Sequence, residues 1–121
     1  MMILDSLAFQ AMQSRLNGLG IEQKVILHNL ANYETPNFKA KKISFEDVLS
    51  ETTRRTGRGK FDFKAKVWTD EATEMRPDGN NVDSDVESME LYRNYVETLY
   101  LYEKIGGQFT NLNYILEQAA K

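Results

Sequence analysis

The 121-residue sequence has no cysteine, one histidine, one tryptophan and two prolines. Without cysteine there is no disulfide, no thiolate metal site and no sulfur nucleophile. The lone imidazole, His28, has no second imidazole to share a metal with, and it falls opposite the apolar seam described below, as a solvent-facing side chain does. Long hydrophobic runs are missing as well. Met1-Met2-Ile3-Leu4 is apolar, but Asp5 interrupts it, so neither a cleaved signal peptide nor a transmembrane segment is expected. There is no excess of positive charge: the net charge is −3, which argues against a surface that coats nucleic acid.

Catalytic frames are equally sparse. Asp78, Asp83, Asp85 and Glu87 cluster, but their spacing is not that of an EF-hand loop, and turn and helix-cap roles account for them. There is no nucleophile elbow, no glycine-rich phosphate loop and no carboxylate pair placed for glycoside hydrolysis. No enzyme activity, cofactor, metal or small-molecule substrate is expected.

What is present is helical periodicity at both ends. Phe9, Met12, Leu16, Leu19, Gln23, Ile26, Leu30 and Tyr33 recur at alternating spacings of 3 and 4, a heptad seam with one polar member. The spacing predicts a helix over residues 6–32, a rod of roughly 40 Å. Gly18 and Gly20 each weaken it by about 1 kcal/mol relative to alanine. Near the C-terminus Leu91, Tyr95, Thr98, Tyr102, Ile105, Phe109, Leu112, Leu116 and Ala119 make a second seam, predicting a helix over 83–119. Asp83 or Ser84 caps its start, and Ser84-Asp85-Val86-Glu87 has the spacing of a capping box. Gly106-Gly107 predicts a bend or a close helix contact.

The segment between them, 33–82, changes character. Ser44 followed by Phe45-Glu46-Asp47-Val48-Leu49 reads as a short capped helix. Glu51 to Gly59 is polar and reads as a mobile loop. Residues 60–67 alternate, with Phe61, Phe63, Ala65 and Val67 on one face, which predicts a half-buried strand paired through a short hairpin or with another subunit. The fold expected is mainly α in a single domain over 1–121. Long N- and C-terminal helices pair as an antiparallel coiled coil around a partly extended, loop-rich mid-section.

Apolar residues exceed what that core can use. Met89, Tyr92, Val96 and Leu99 form a second stripe on the C-terminal helix, and Ile21, Val25 and Leu27 lie off the first seam. Surplus apolar surface of this kind marks contact with other subunits. Leu16, Leu19, Ile26, Tyr95, Tyr102, Phe109 and Leu112 are the residues expected to hold the chain's own helices together.

The stretch His28-Asn29-Leu30-Ala31-Asn32-Tyr33-Glu34-Thr35-Pro36-Asn37-Phe38-Lys39 ends the first helix. Pro36 stops it, and Asn32 and Asn37 tolerate left-handed backbone. Here Asn29, Leu30, Ala31, Asn32, Thr35, Pro36, Phe38 and Lys39 resemble the N-terminal signature of the flagellar axial proteins of the rod, hook and hook-filament junction. Asn37 stands where that family usually has glycine, and His28 also departs from its pattern. Asp78-Gly79-Asn80-Asn81-Val82-Asp83, followed by an acidic helix start, looks like the small rod proteins of the membrane-proximal end. The S-R-A-Y-Q-A-N-type ending of another small rod protein, FlgC, is absent.

The resemblance covers about residues 5–117. It implies a structural subunit of the bacterial flagellar basal body, exported by the flagellar type III route without a cleaved signal and self-assembling at the inner-membrane end. Its implied partners are further copies of itself, FlgC, the adaptor FliE and the export gate. Alternatives are another small rod protein such as FlgC, or a nucleic-acid-binding adaptor using Arg54, Arg55, Arg58, Lys60, Lys64 and Lys66 with Phe61, Phe63 and Trp68. The acidic block downstream, Asp70 to Glu90, favours contact between segments or subunits over nucleic acid.

Overall fold

A computed structural model describes residues 7–49 and 61–120. The expected loop from Glu51 to Gly59 lies outside them, as do Arg54, Arg55, Arg58 and Lys60. Four elements follow in order: α1 (Leu7–Ala31), β1 (Lys41–Leu49), β2 (Phe61–Thr69) and α2 (Ser84–Ala120).

The two helices run antiparallel, as expected. Phe9 meets Phe109 edge to face with ring centroids 6.1 Å apart. Further along, Arg15 forms a two-pronged ion pair with Glu97 at 2.7 and 2.9 Å, and the Asn94 side chain donates to the Leu19 carbonyl at 2.8 Å. On α1 the seam is as read except at Gln23 and Tyr33, which are exposed, Tyr33 lying beyond the end of the helix. Phe9, Leu19 and Ile26 are buried, and Met12, Leu16 and Leu30 half-buried.

On α2 half of the expected seam is displaced by one residue. Leu91, Thr98, Ile105 and Leu112 do face α1, half-buried. The alternate positions, however, are filled by Glu87, Asn94 and Leu101, all buried, and not by Tyr95 and Tyr102, each 59% exposed. Phe109 keeps its contact with Phe9 but remains partly exposed, and Leu116 points to solvent. Counting apolar residues selected the tyrosines. The contact line instead takes Asn94, whose amide bonds the Leu19 carbonyl and the Glu22 carboxylate, a polar pairing invisible to hydrophobic periodicity.

The mid-section forms a hairpin. β1 pairs antiparallel with β2 from Lys41↔Thr69 to Leu49↔Phe61. The alternation around residues 60–67 was therefore a strand, and its partner is the segment read above as a short helix from Ser44 to Leu49. A five-residue helix cannot recover its nucleation cost, whereas nine residues of antiparallel ladder hydrogen-bond every second residue of each strand across the pair. Phe45 and Ile43 stand opposite Ala65 and Val67 on one face. Phe45 lies against Gly18, where an added Cβ would sit 2.5 Å from the ring, and under the Arg15 guanidinium 4.4 Å from its centroid. Gly18 thus lets the hairpin approach α1. At Gly106-Gly107 α2 continues unbroken, and nothing lies within 4 Å of an added Cβ at either. The helix contact expected at this pair is not formed.

Asp83 is the cap of α2. Its carboxylate accepts from the Asp85 and Val86 backbone at 3.1 and 3.3 Å. The capping box starting at Ser84 is not used, because Glu87 is buried on the helix-packing face.

Candidate functional site

Two loops separated by some forty residues meet at one end of the helix pair. The first is the exit of α1. The Asn32 side chain donates to the His28 carbonyl at 2.8 Å and accepts from the Thr35 hydroxyl at 3.1 Å. Thr35 to Phe38 then closes a turn, with the Phe38 N–H on the Thr35 carbonyl. Pro36 takes its second position, and Asn37, at φ 63°, its third. That is the pattern of a type II turn, where positive φ is required. His28 is exposed, as expected, and its ring meets the edge of Phe38 at 5.5 Å.

The second loop is Arg76 to Val82. Gly79, at φ 84°, passes so close to the first loop that a Cβ there would sit 2.5 Å from the Asn37 side-chain oxygen. The Asn37 N–H donates to the Asp78 carbonyl at 2.8 Å, and the Lys39 ammonium to the Gly79 carbonyl at 2.6 Å.

Three buried asparagines close the joint. Asn80 donates to the Asn32 and Thr35 carbonyls, both at 2.8 Å, and accepts from the Val82 N–H and the Arg76 guanidinium. Asn81 accepts from the Ala40 N–H at 2.6 Å and donates to the Asp70 and Thr73 carbonyls. Asn29 pairs with both peptide groups of Lys41, at 2.8 and 2.9 Å, as a neighbouring strand would. Ala40 and Val82 are buried between them.

The residues of the two signatures are thus brought together, and the asparagines act as backbone surrogates. Leu30, Phe38 and Lys39 are half-buried, while Ala31, Thr35, Pro36 and Asp78 are exposed. Arg76, which the motif reading did not single out, belongs to the clasp through Asn80 and the Val82 carbonyl. A cation four residues before a buried asparagine gave no periodic signal.

Beside the clasp a groove of about 230 Å³ runs between α1, β1 and the start of α2. Val25, Ile26, Ile43 and Val86 line it, with Glu22, Glu87 and Glu90 and with Lys41 and Lys42. Burial holds the Glu87 carboxyl above its ordinary value, against a hydrogen bond from Asn29 and the charge of Lys42. The Asp70 carboxyl is held low, first by the Thr73 hydroxyl and then by backbone donors.

On the outer side of α2 the second stripe is open. Met89, Tyr92, Val96 and Leu99 are 47–68% exposed. On the hairpin Lys64, Lys66 and Trp68 are exposed. Among the described residues no group of acidic, histidine or cysteine side chains could hold a metal, and no helix is long and apolar enough to cross a membrane.

The flagellar basal body rod protein FlgB of Bacillus subtilis is 35% identical, over 95% of this chain and 97% of its own length. The chain belongs to the FlgB family of flagellar basal body rod proteins. FlgB of Aeromonas hydrophila is 31% identical over 87% of this chain, and FlgB of Borreliella burgdorferi 29% over 84%. No family model matches the chain. In this FlgB-family chain the two signatures are the two halves of one clasp.

Proposed function

We propose that this chain, a component of the flagellar basal-body rod, polymerises head-to-tail at the rod's membrane-proximal end. Met89, Tyr92, Val96 and Leu99 meet a neighbouring subunit. The observation that carries the reading is the open stripe on α2: four large apolar side chains, 47–68% exposed, on the side away from α1. Burying each stabilises by about 1.5–3 kcal/mol, and among the described residues no element covers them. A head-to-tail contact, in which the two touching faces differ, builds an open helical array where its rotation does not close into a ring. The terminal helices pack inside the tube, and the further neighbours are FlgC, the adaptor FliE and the export gate. The chain reaches them by type III export. Tyr92→Ser combined with Leu99→Ser tests this. The variant should remain soluble and helical by circular dichroism, yet be missing from purified basal bodies and fail to restore motility. Normal incorporation of the variant would refute the interface.

A further inference from the structure

The outer face of the hairpin is basic, and the loop that follows it is acidic. Phe45 lies on α1 with Ala65 across the ladder, so the alternate residues of β2 stand on the face away from α1. They are Lys64, Lys66 and Trp68, all exposed. Beyond Thr69 the chain turns. The Asp70 carboxylate accepts from the Ala72 and Thr73 N–H groups at 3.1 and 3.2 Å. Buried Asn81 donates to the Asp70 and Thr73 carbonyls at 2.7 and 3.1 Å. The turn is thus held from within and from the clasp, and it presents Glu71, Glu74 and Met75, all exposed.

The two sets of charges have no answer inside the chain. Among the described residues the ion pairs are Arg15 with Glu97 and Arg93 with Glu90, and no hydrogen bond or ion pair holds Lys64, Lys66, Glu71 or Glu74. Lys42, across the ladder from Trp68, differs, because its charge acts on Asp70 and Glu87 of its own chain. The strand keeps the two sets apart: at a rise of ~3.3 Å per residue Lys64 stands about 17 Å from Thr69, where the acidic loop begins. A translated second copy brings them together. The apolar members match as well. Trp68 is 44% and Met75 49% exposed, and a thioether against an aromatic ring is a favourable contact.

We propose that the outer face of the hairpin docks on the 70–75 turn of another copy of this chain. Lys64 and Lys66 meet Glu71 and Glu74, and Trp68 meets Met75. The touching faces differ, so the contact is head-to-tail. The proposal rests on the self-assembly reading above but uses a surface separate from the α2 stripe. Fixing the turn in advance, through Asp70 and Asn81, lowers the ordering cost of the contact.

The test is a charge swap read by incorporation into purified basal bodies. Lys64→Glu with Lys66→Glu, and separately Glu71→Lys with Glu74→Lys, turn attraction into repulsion. Each pair should lower incorporation by about tenfold or more, with helicity of the purified chain kept. All four substitutions in one chain restore opposite charges at every contact and should recover incorporation. Normal incorporation of either pair overturns the proposal. So does a four-substitution chain as poor as the pairs, because the hairpin then meets an acidic protein or membrane other than this chain. Because the chain has no cysteine, a second arm is direct. Lys66→Cys with Glu74→Cys in one chain should give a ladder of cross-linked dimers, trimers and longer species under oxidation, and either substitution alone should give none. No ladder, or equal cross-linking by the single variants, also overturns it. The unaltered chain separates the two readings. Its absence from basal bodies sinks the rod reading and this contact with it; its presence, with both charge-reversed pairs incorporating normally, sinks this contact alone.

Discussion

Asn80 holds four partners with one carboxamide: the carbonyls of Asn32 and Thr35, the Val82 N–H and the Arg76 guanidinium. Asn80→Ala strands buried backbone groups at the helix exit and should cost about 3 kcal/mol, read by chemical denaturation. Asn80→Asp should cost more, because its carboxylate would face two carbonyls. Asn37→Gly should be neutral and Asn37→Val destabilising, since φ is 63° and a β-branched residue resists that region; the same unfolding curves decide. Glu87 gives a pH-dependent case. Its carboxyl lies above the ordinary 4.5 in the fold, because burial penalises the charge. A raised folded value means that Glu87 supports folding while protonated, and that this support is lost as pH rises through the folded value. Glu87→Gln should therefore raise the melting temperature near pH 7 and change it little near pH 4. The identities of these residues were legible as signatures, and the left-handed turn at Asn37 followed from its neighbours. What Asn29, Asn80 and Asn81 bind was not legible, because their partners lie elsewhere in the sequence and carry no pattern of their own.

At the scale of elements, Gly18 controls how closely the hairpin lies on α1. On an isolated helix Gly18→Ala would stabilise by about 1 kcal/mol. Here the added Cβ meets the Phe45 ring at 2.5 Å, so the substitution should instead lower stability, while Gly20→Ala, with nothing within 4 Å, should raise it. Thermal melts of the two variants should shift in opposite directions. The strand at 60–67 was readable because Phe61, Phe63, Ala65 and Val67 alternate over a stretch free of competing helical spacing. Its partner was not, because Phe45, Val48 and Leu49 also fit helical spacing; the choice is made by pairing with residues 61–69, which local propensity does not contain. The seam of α2 was half readable for a related reason. Leu91, Thr98, Ile105 and Leu112 obey the hydrophobic rule, while Asn94 and Glu87 occupy core positions by hydrogen bonding and position against α1.

For the whole molecule, two faces of one helix divide the labour. Leu101 is buried against α1, and Tyr92 and Leu99 lie open on the other side. Leu101→Ser should reduce helicity and stability of the isolated chain by about 2–4 kcal/mol, because it places a hydroxyl in the core and removes packing. The stripe variant described above should leave the isolated chain unchanged. Paired circular dichroism and rod incorporation separate the two roles; equal unfolding of both would show that the faces are not independent.

The clasp also has an order in time. Asn80 completes the exit of α1 from 48 residues downstream of Asn32. A chain delivered N-terminus first, whether from a ribosome or through a narrow channel, presents α1 long before its lock has emerged. Closing so long a loop is slow compared with forming a helical turn. The first helix therefore travels as a reversible element, and the joint sets only after the second signature arrives, when two-thirds of the chain is already out.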